Sequence, residues 1–287
     1  MENGKLIITH GGVAHTDELV ACALYIAHAR RAGFKITGIE RVMSVPDAIL
    51  GKVGNVVIDI GGVYDGVEFF DHHQNDEAVN GKCAAELVCQ RFFPELMKDE
   101  EFGHFIKLLS FMDNNGPINT AREYGVAIPV FNSLLLLVRG LVKEFEKRPL
   151  EIAEMIAVIV EEKLSFLKEV KEAEAFFQDT NNASVSTMNN GCVVLNVINP
   201  WKGSMQAGNR AQQTIVDQFK VDLVYNIDPR VPEGRCLFRT AHGERKGIVL
   251  TADLVEKSTF CHKAGFLLNF IPAHPSEWMV AVEKIQR

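Results

Sequence analysis

The chain has 287 residues, 47% of them apolar and 23% charged, with a formal net charge of −7 from 30 basic and 37 acidic residues. That composition excludes a disordered, collagen-like or disulfide-scaffold chain, and the length suits one large domain or two modest ones. The acidic balance excludes a protein that coats nucleic acid by bulk charge. The charge is uneven: residues 1–184 carry 18 basic and 28 acidic side chains, residues 185–287 carry 12 and 9. An acidic first part suits a cation, and a mildly basic last part suits an anion.

The first predicted element is a strand at residues 5–10, an apolar run closed by Gly11-Gly12. Residues 17–32 have helical period, an acidic first turn, a basic last turn and Gly33 just after. Strands follow at 34–41, 55–60 and 67–70, then helices at 84–93 and 102–112. Residues 129–177 read as mostly helical, with a charged exposed face. The polar stretch 178–191, rich in Asn, Ser and Thr, reads as a boundary or loop. Beyond it strand and helix alternate again, with strands at 192–197, 223–227 and 236–239 and helices at 207–219 and 276–285. Apolar strands separated by helices predict an α/β chain with a parallel sheet covered on both faces. The expected domains are residues 1–180, which include a helical connector, and residues 181–287.

Cys22, Cys83, Cys89, Cys192, Cys236 and Cys261 form no C-x-x-C pair, and most lie in apolar runs. They read as reduced core residues, so the expected compartment is the cytoplasm. The N-terminus lacks the basic start and long apolar run of a signal peptide. No stretch reaches the roughly 18 unbroken apolar residues of a membrane span.

Four clusters carry ligand chemistry. His10, His15 and Asp17 lie within eight residues at a strand-to-helix turn, where Gly11-Gly12 lets the chain curl. Asp59 closes the run Val56-Val57-Ile58, where a carboxylate is costly to bury unless paired or metal-bound. Asp71-His72-His73 directly follows the apolar Phe69-Phe70, and Asp71 can orient an imidazole. Asp113 sits where a helix runs into Asn114-Asn115-Gly116. Taken singly, Asp17 and Asp113 also read as caps, Asp59 as a turn former and Asp71–His73 as a polar loop. Taken jointly, at strand and helix ends where α/β sheets gather ligands, the seven residues His10, His15, Asp17, Asp59, His72, His73 and Asp113 suit two divalent metals, with Asp71 as an orienting partner. Asp59, the most strand-embedded carboxylate, is the bridging candidate. Mixed imidazole and carboxylate ligation favours Mn²⁺, with Mg²⁺, Zn²⁺ and Co²⁺ also admitted. Two such ions activate a water and neutralise charge on a phosphoryl group.

The segment Asp71-His72-His73 after an apolar strand, with upstream His and Asp and downstream Asp113, resembles the DHH phosphoesterase superfamily. More narrowly, residues 9–18, 59–65, 71–74 and 113–116 are similar to four successive motifs of the Myg (melanocyte proliferating gene) exonuclease family. Pro200-Trp201-Lys202 and residues 262–266 are similar to that family's C-terminal features. The resemblance implies a doubly wound, mostly parallel N-terminal domain and a smaller α/β domain that binds substrate. It implies that His10, His15 and Asp59 hold one metal, and that Asp17, Asp59, His72 and Asp113 hold the other. His73 then leans towards the substrate phosphate, and Asp71 supports the ligands from behind. Asp59, His72 and His73 are the residues expected to carry catalysis. The implied activity is phosphodiester hydrolysis, including 3′–5′ exonuclease action.

In the last part, Arg239, His242, His262, Lys263 and Gly265 are the expected substrate contacts, because arginine grips phosphate in bidentate fashion and glycine lets backbone N–H groups approach it. For Trp201, base stacking and a core role both stay open. The expected function is hydrolysis of short single-stranded nucleic acids or small nucleotides, with no membrane partner and a homo-oligomer left open. The runner-up is hydrolysis of a small phosphate ester or pyrophosphate. A carboxylate stands in most DHH enzymes where His15 stands here, which makes a non-catalytic metal- or nucleotide-binding module a further reading.

Overall fold

A computed structural model describes residues 4–45, 54–228, 230–231 and 233–285. The chain divides into two compact units, Met1–Leu164 and Ser165–Arg287.

The first unit is built on four parallel strands: β1 (Lys5–His10), β2 (Ile36–Val42), β3 (Val56–Ile58) and β4 (Phe69–Phe70). The first helix, α1 (Thr16–Ala32), follows β1. Nearly every residue of α1 from Asp17 to Ala29 is buried, which its small side chains Ala21, Cys22, Ala23 and Ala27 permit. It stops at Gly33, whose φ of 79° is the left-handed conformation that closes a helix. Tyr25 and His28 of α1 meet Phe34, Phe70 and Phe92 in one aromatic cluster.

Strand order is β2-β1-β3-β4. The chain moves outward from β1 to β2, then returns to the other side of β1 for β3. The sheet therefore changes direction between β1 and β3, the position where α/β folds open a crevice for ligands. Register sharpens this. Thr9 pairs with Arg41 and with Ile58, and Ile58 pairs with Phe70. These residues form one level row, and His10, Asp59 and Asp71 each come one residue later.

The helices of this unit are α2 (Ala84–Phe92), α3 (Pro94–Lys98), α4 (Glu100–Glu123) and α5 (Ile128–Lys147), followed by α6 (Pro149–Gln178), which runs on into the second unit. The helix expected over 102–112 is longer than its sequence suggests. It breaks at Gly116 (φ 76°, ψ 162°) and resumes at Pro117, which needs no N–H donor in a first turn. The strand expected over 55–60 is shorter, Val56–Ile58, because Asp59 turns into the left-handed region. The expected boundary at 180 differs from the observed division at Leu164/Ser165. The last turns of α6 supply Ala173 and Phe177 to the second unit's core, beside Leu195, Val197 and Val224.

The second unit carries a six-stranded sheet, β5 (Ala183–Thr187), β6 (Val193–Val197), β7 (Leu223–Ile227), β8 (Arg235–Arg239), β9 (Ser258–Cys261) and β10 (Leu267–Phe270), in the order β5-β6-β7-β8-β10-β9. Only β6 and β7 pair in parallel, joined through α7 (Met205–Phe219). The remaining pairs are antiparallel, so the expected strand–helix alternation holds for one crossover and then gives way to hairpins. Strand β5 lies inside the polar stretch read as a loop. It pairs from Ala183 opposite Val197 to Thr187 opposite Val193, and its alternating Ser and Thr occupy an edge strand. Two short helices, α8 (Ala241–Arg245) and α9 (Glu277–Glu283), complete the unit. Four of the six cysteines, Cys22, Cys83, Cys89 and Cys192, are fully buried. Among the described residues, no helix is long and apolar enough to cross a membrane.

Candidate metal centre

The row that ends at Thr9, Ile58 and Phe70 delivers His10, Asp59 and Asp71 to one edge of the first sheet. Asp59 is the pivot. Its backbone adopts φ 59°, a conformation that Asp tolerates better than most residues, and its N–H donates to the Phe70 carbonyl (3.0 Å). The side chain is 2% exposed. Asp59 Oδ2 lies 3.3 Å from His10 Nε2, and Asp59 Oδ1 lies 3.1 Å from His72 Nε2. His72 Nε2 also lies 3.4 Å from Asp113 Oδ2. One carboxylate thus stands between two imidazoles from different strand ends.

Three groups of side chains offer ligand atoms within 4.8 Å of one another: His10 with His15 and Asp59; His15 with Asp17 and Asp113; and Asp59 with Asp71, His72 and His73. All seven residues singled out as ligands therefore converge, although they span positions 10 to 113. His15 joins both the His10 group and the Asp17–Asp113 group, and its ring lies 5.1 Å from that of His10 between centroids.

The residues fit a cation. Asp17 is 2% exposed, and neither carboxylate oxygen has a hydrogen-bond partner. Burial pushes its pKa well above the usual carboxylate range, and the nearby charges of Asp59 and Asp113 push it further. A buried carboxylate without donors is costly, and a divalent ion relieves that cost. Asp113 is raised in the same direction, chiefly by burial. For Asp59, burial acts upward, but the neighbouring His10 and His72 outweigh it and hold the group below its ordinary range. The carboxylates of Asp59 first and Glu18 second raise His10 to about 11. His10 Nδ1 contacts the Gly11 carbonyl at 2.9 Å. Donation there would leave Nε2 to face the carboxylates or a metal. The carboxylate oxygens of Glu18 and Asp59 approach Nε2 at 3.1 and 3.3 Å, but off the hydrogen-bond direction.

Asp71 gathers the hydrogen-bond donors around it. Its oxygens accept from the backbone N–H of Gly62 (2.5 Å) and of His72 (2.7 Å), and from His73 Nδ1 (2.6 Å). These donors overcome the upward push of burial and keep Asp71 ionised. In return, Asp71 raises the pKa of His73. The His73 side chain is 61% exposed, so its ring faces outward while Nδ1 is held.

Two residues of this site escaped the motif reading. Glu18 is fully buried, accepts from Thr9 Oγ1 (3.0 Å) and Arg41 Nε (3.1 Å), and reaches the His15 N–H (3.3 Å). Arg41 comes from the level row on β2 and also donates to the Gly12 carbonyl. The signal for Glu18 was its place three residues after His15, the spacing of a helix-start acceptor. Nothing local marks Arg41.

The second unit holds the other expected contacts. Arg239 is engaged within the unit, donating to the Ile248 carbonyl (2.7 Å) and pairing with Glu244 (3.1 Å). His242 lies between Asp217 and Arg245. Residues 262–266 form the turn between β9 and β10, with Lys263 exposed and His262 tilted against Phe266. Gly265 has a local reason to be glycine: φ is 62°, and a Cβ would strike Val249 and crowd the Leu250 backbone. Trp201 packs on Phe176 and on Gly203 and Gly208, which favours the core role.

The carboxyl edge of the parallel sheet thus carries Asp71-His72-His73 beside converging imidazoles and acids. Residues 6–101 match the family model MYG1_exonuc, described as uncharacterised protein family UPF0160. That stretch contains His10, His15, Asp17, Asp59 and Asp71–His73 but not Asp113. A MYG1 protein of Schizosaccharomyces pombe is 38% identical over 76 residues, covering 26% of this chain and 22% of that protein. A MYG1 protein of Saccharomyces cerevisiae is 35% identical over 85 residues, covering 29% and 23%. The matched stretch spans less than a quarter of either relative. Among solved structures, the DHH domain of a protein assigned to a family of ribosomal proteins aligns over 100% of this chain and 88% of its own, at 14% identity and a TM-score of 0.35. The exonuclease RecJ bound to manganese aligns over 99% and 91%, at 10% identity and a TM-score of 0.29.

Proposed function

We propose that this protein is a metal-dependent phosphoesterase that hydrolyses phosphodiester bonds of short nucleic acids or nucleotides. The observation that carries the reading is the Asp59 carboxylate, buried between His10 and His72 while Asp17 lies beside it with both oxygens unpartnered. His10, His15 and Asp59 would hold one divalent cation, and Asp17, Asp59, His72 and Asp113 the other. The donor set suits Mn²⁺. Two such ions supply an activated water and neutralise charge on the phosphoryl group.

The chain's own residues do the rest. Asp59 would lie between the two cations, its unusual backbone aiming one oxygen at each imidazole. Asp71 fixes His73 through Nδ1, so His73 Nε2 is free to present a proton to a phosphoryl oxygen. Glu18 and Arg41 brace the turn that carries His15. In the second unit, exposed Lys263 offers positive charge to an anion, with the half-buried His262 ring beside it.

The test is a Mn²⁺-supplemented hydrolysis panel running from pyrophosphate through dinucleotides to RNA and DNA oligomers. Dinucleotides and short RNA are the expected substrates, and Asp59→Asn and His72→Ala should each abolish turnover while the protein stays folded. Full activity in both variants would overturn the assignment. Hydrolysis of pyrophosphate alone would move it to the small-substrate class. Mn²⁺ binding with no turnover on any substrate would identify a binding module.

A further inference from the structure

A cavity of about 330 Å³ opens in the first unit, at the small end of the range for small-molecule sites. Part of its lining is His15, Asp17 and Asp113, the edge of the ligand cluster. The rest is of another character: Met112 from α4, and Leu135, Val138 and Val142 from α5, with the exposed Arg139 among them. Water needs no such wall, and a bare phosphate gains nothing from it.

Charge separates the two ends of a ligand here. Asp17 and Asp113 repel an anion unless a cation lies between, so a phosphate is confined to the metal side. The helical wall rewards apolar surface removed from water, and the planar guanidinium of Arg139 can lie against a flat ring. Pyrophosphate would leave the apolar wall unused, whereas a nucleotide carries a planar, weakly polar group at one end and an anion at the other.

We propose that this cavity seats the nucleobase of the substrate, and that it selects nucleotides over simple phosphate esters. The inference rests on the phosphoesterase reading for the placement of the phosphate, but not for the seating of the base. Leu135 and Val138 are half-buried, so enlarging Val138 fills the cavity without forcing the core.

The experiment measures binding to the full chain. Calorimetry in excess Mn²⁺ compares adenosine 5′-monophosphate with ribose 5-phosphate, for wild type and for Val138→Phe. Wild type should bind the nucleotide at least about tenfold more tightly, the scale of removing roughly 55 Å² of apolar surface from water. Val138→Phe should erase that difference and leave ribose 5-phosphate binding unchanged. Leu135→Gln serves if Val138→Phe does not fold. Uncharged adenosine, followed by NMR on metal-free protein, should shift the methyl signals of Leu135 and Val142 in wild type and not in the filled variant. Equal affinities for the two phosphates, or a preference that survives both variants, would overturn the proposal. Absence of hydrolysis with the base preference intact would sink the phosphoesterase reading and leave the pocket standing.

Discussion

The Arg41 guanidinium lies against the fully buried Glu18 carboxylate, with Nε 3.1 Å from Oε1. Arg41 is the only cation within ion-pairing distance of Glu18, among the described residues, that does not depend on histidine protonation. Removing it leaves the buried carboxylate with His10 and the Thr9 hydroxyl but without its guanidinium. Arg41→Ala should therefore cost about 3–5 kcal/mol, read as a fall in the urea midpoint. Glu18→Gln, which removes the charge itself, should cost less. A loss below about 1 kcal/mol for Arg41→Ala would mean that water reaches Glu18.

Asp17 should behave in the opposite way. Its carboxylate is buried without donors beside two other acids. Asp17→Asn should raise the stability of the metal-free protein by on the order of 1 kcal/mol, the usual gain from relieving a functional site. The same change should abolish the thermal shift produced by excess Mn²⁺. Scanning calorimetry with and without the metal checks both. A metal-free variant less stable than wild type would contradict this account of the site.

Metal binding should depend on pH with a definite sign. His10 is held protonated up to about 11, and Asp17 is raised well above its ordinary range. Ligands must lose their protons to bind. Mn²⁺ affinity should therefore rise as the pH rises from about 6 to 8, and binding should release protons. Calorimetry in buffers of different ionisation enthalpy reads that release directly. An affinity flat over this range would show that the carboxylates and imidazoles do not compete with protons for the metal.

A separate titration concerns stability. His28 stacks on Phe92 at 3.8 Å, and burial first, then the cations of Lys5, Arg31 and Arg91, hold its pKa below the ordinary value. The folded state thus prefers the neutral ring. The associated stability is present above an unfolded pKa of about 6.5 and is lost as the pH falls towards the lower folded value. His28→Phe should flatten the decline in urea midpoint between about pH 7 and pH 5. An unchanged decline would place the acid sensitivity elsewhere.

The parallel sheet was legible because its strands are short, continuous apolar runs, and runs of that kind are buried on both faces. The candidate ligands at the strand ends were legible because they follow such runs directly, as His10 follows Thr9, Asp59 follows Ile58 and Asp71 follows Phe70. Their convergence was not legible locally, since it depends on Thr9, Ile58 and Phe70 pairing in one row. Glu18 and Arg41 stayed hidden for the same reason: their partnership joins a helix start to a strand that the sequence does not align with it. Strand β5 was missed because Ser and Thr on an edge strand look like loop composition. The hairpin β9–β10 was missed because its turn, at residues 262–266, reads as a ligand motif before it reads as a turn. The cavity against α5 had no local signal, as Leu135, Val138 and Val142 look like any apolar helix face.

The level row also limits which changes of chain length the protein can absorb. One extra residue within β1, β3 or β4 would advance a single ligand by about 3.3 Å and turn it to the opposite face of the sheet. Its neighbours would stay where they are. Insertions should therefore be tolerated in the turns beyond Gly81 or Gly125 but not inside those three strands, so the lengths of the strands are as much a part of the site as its imidazoles and carboxylates.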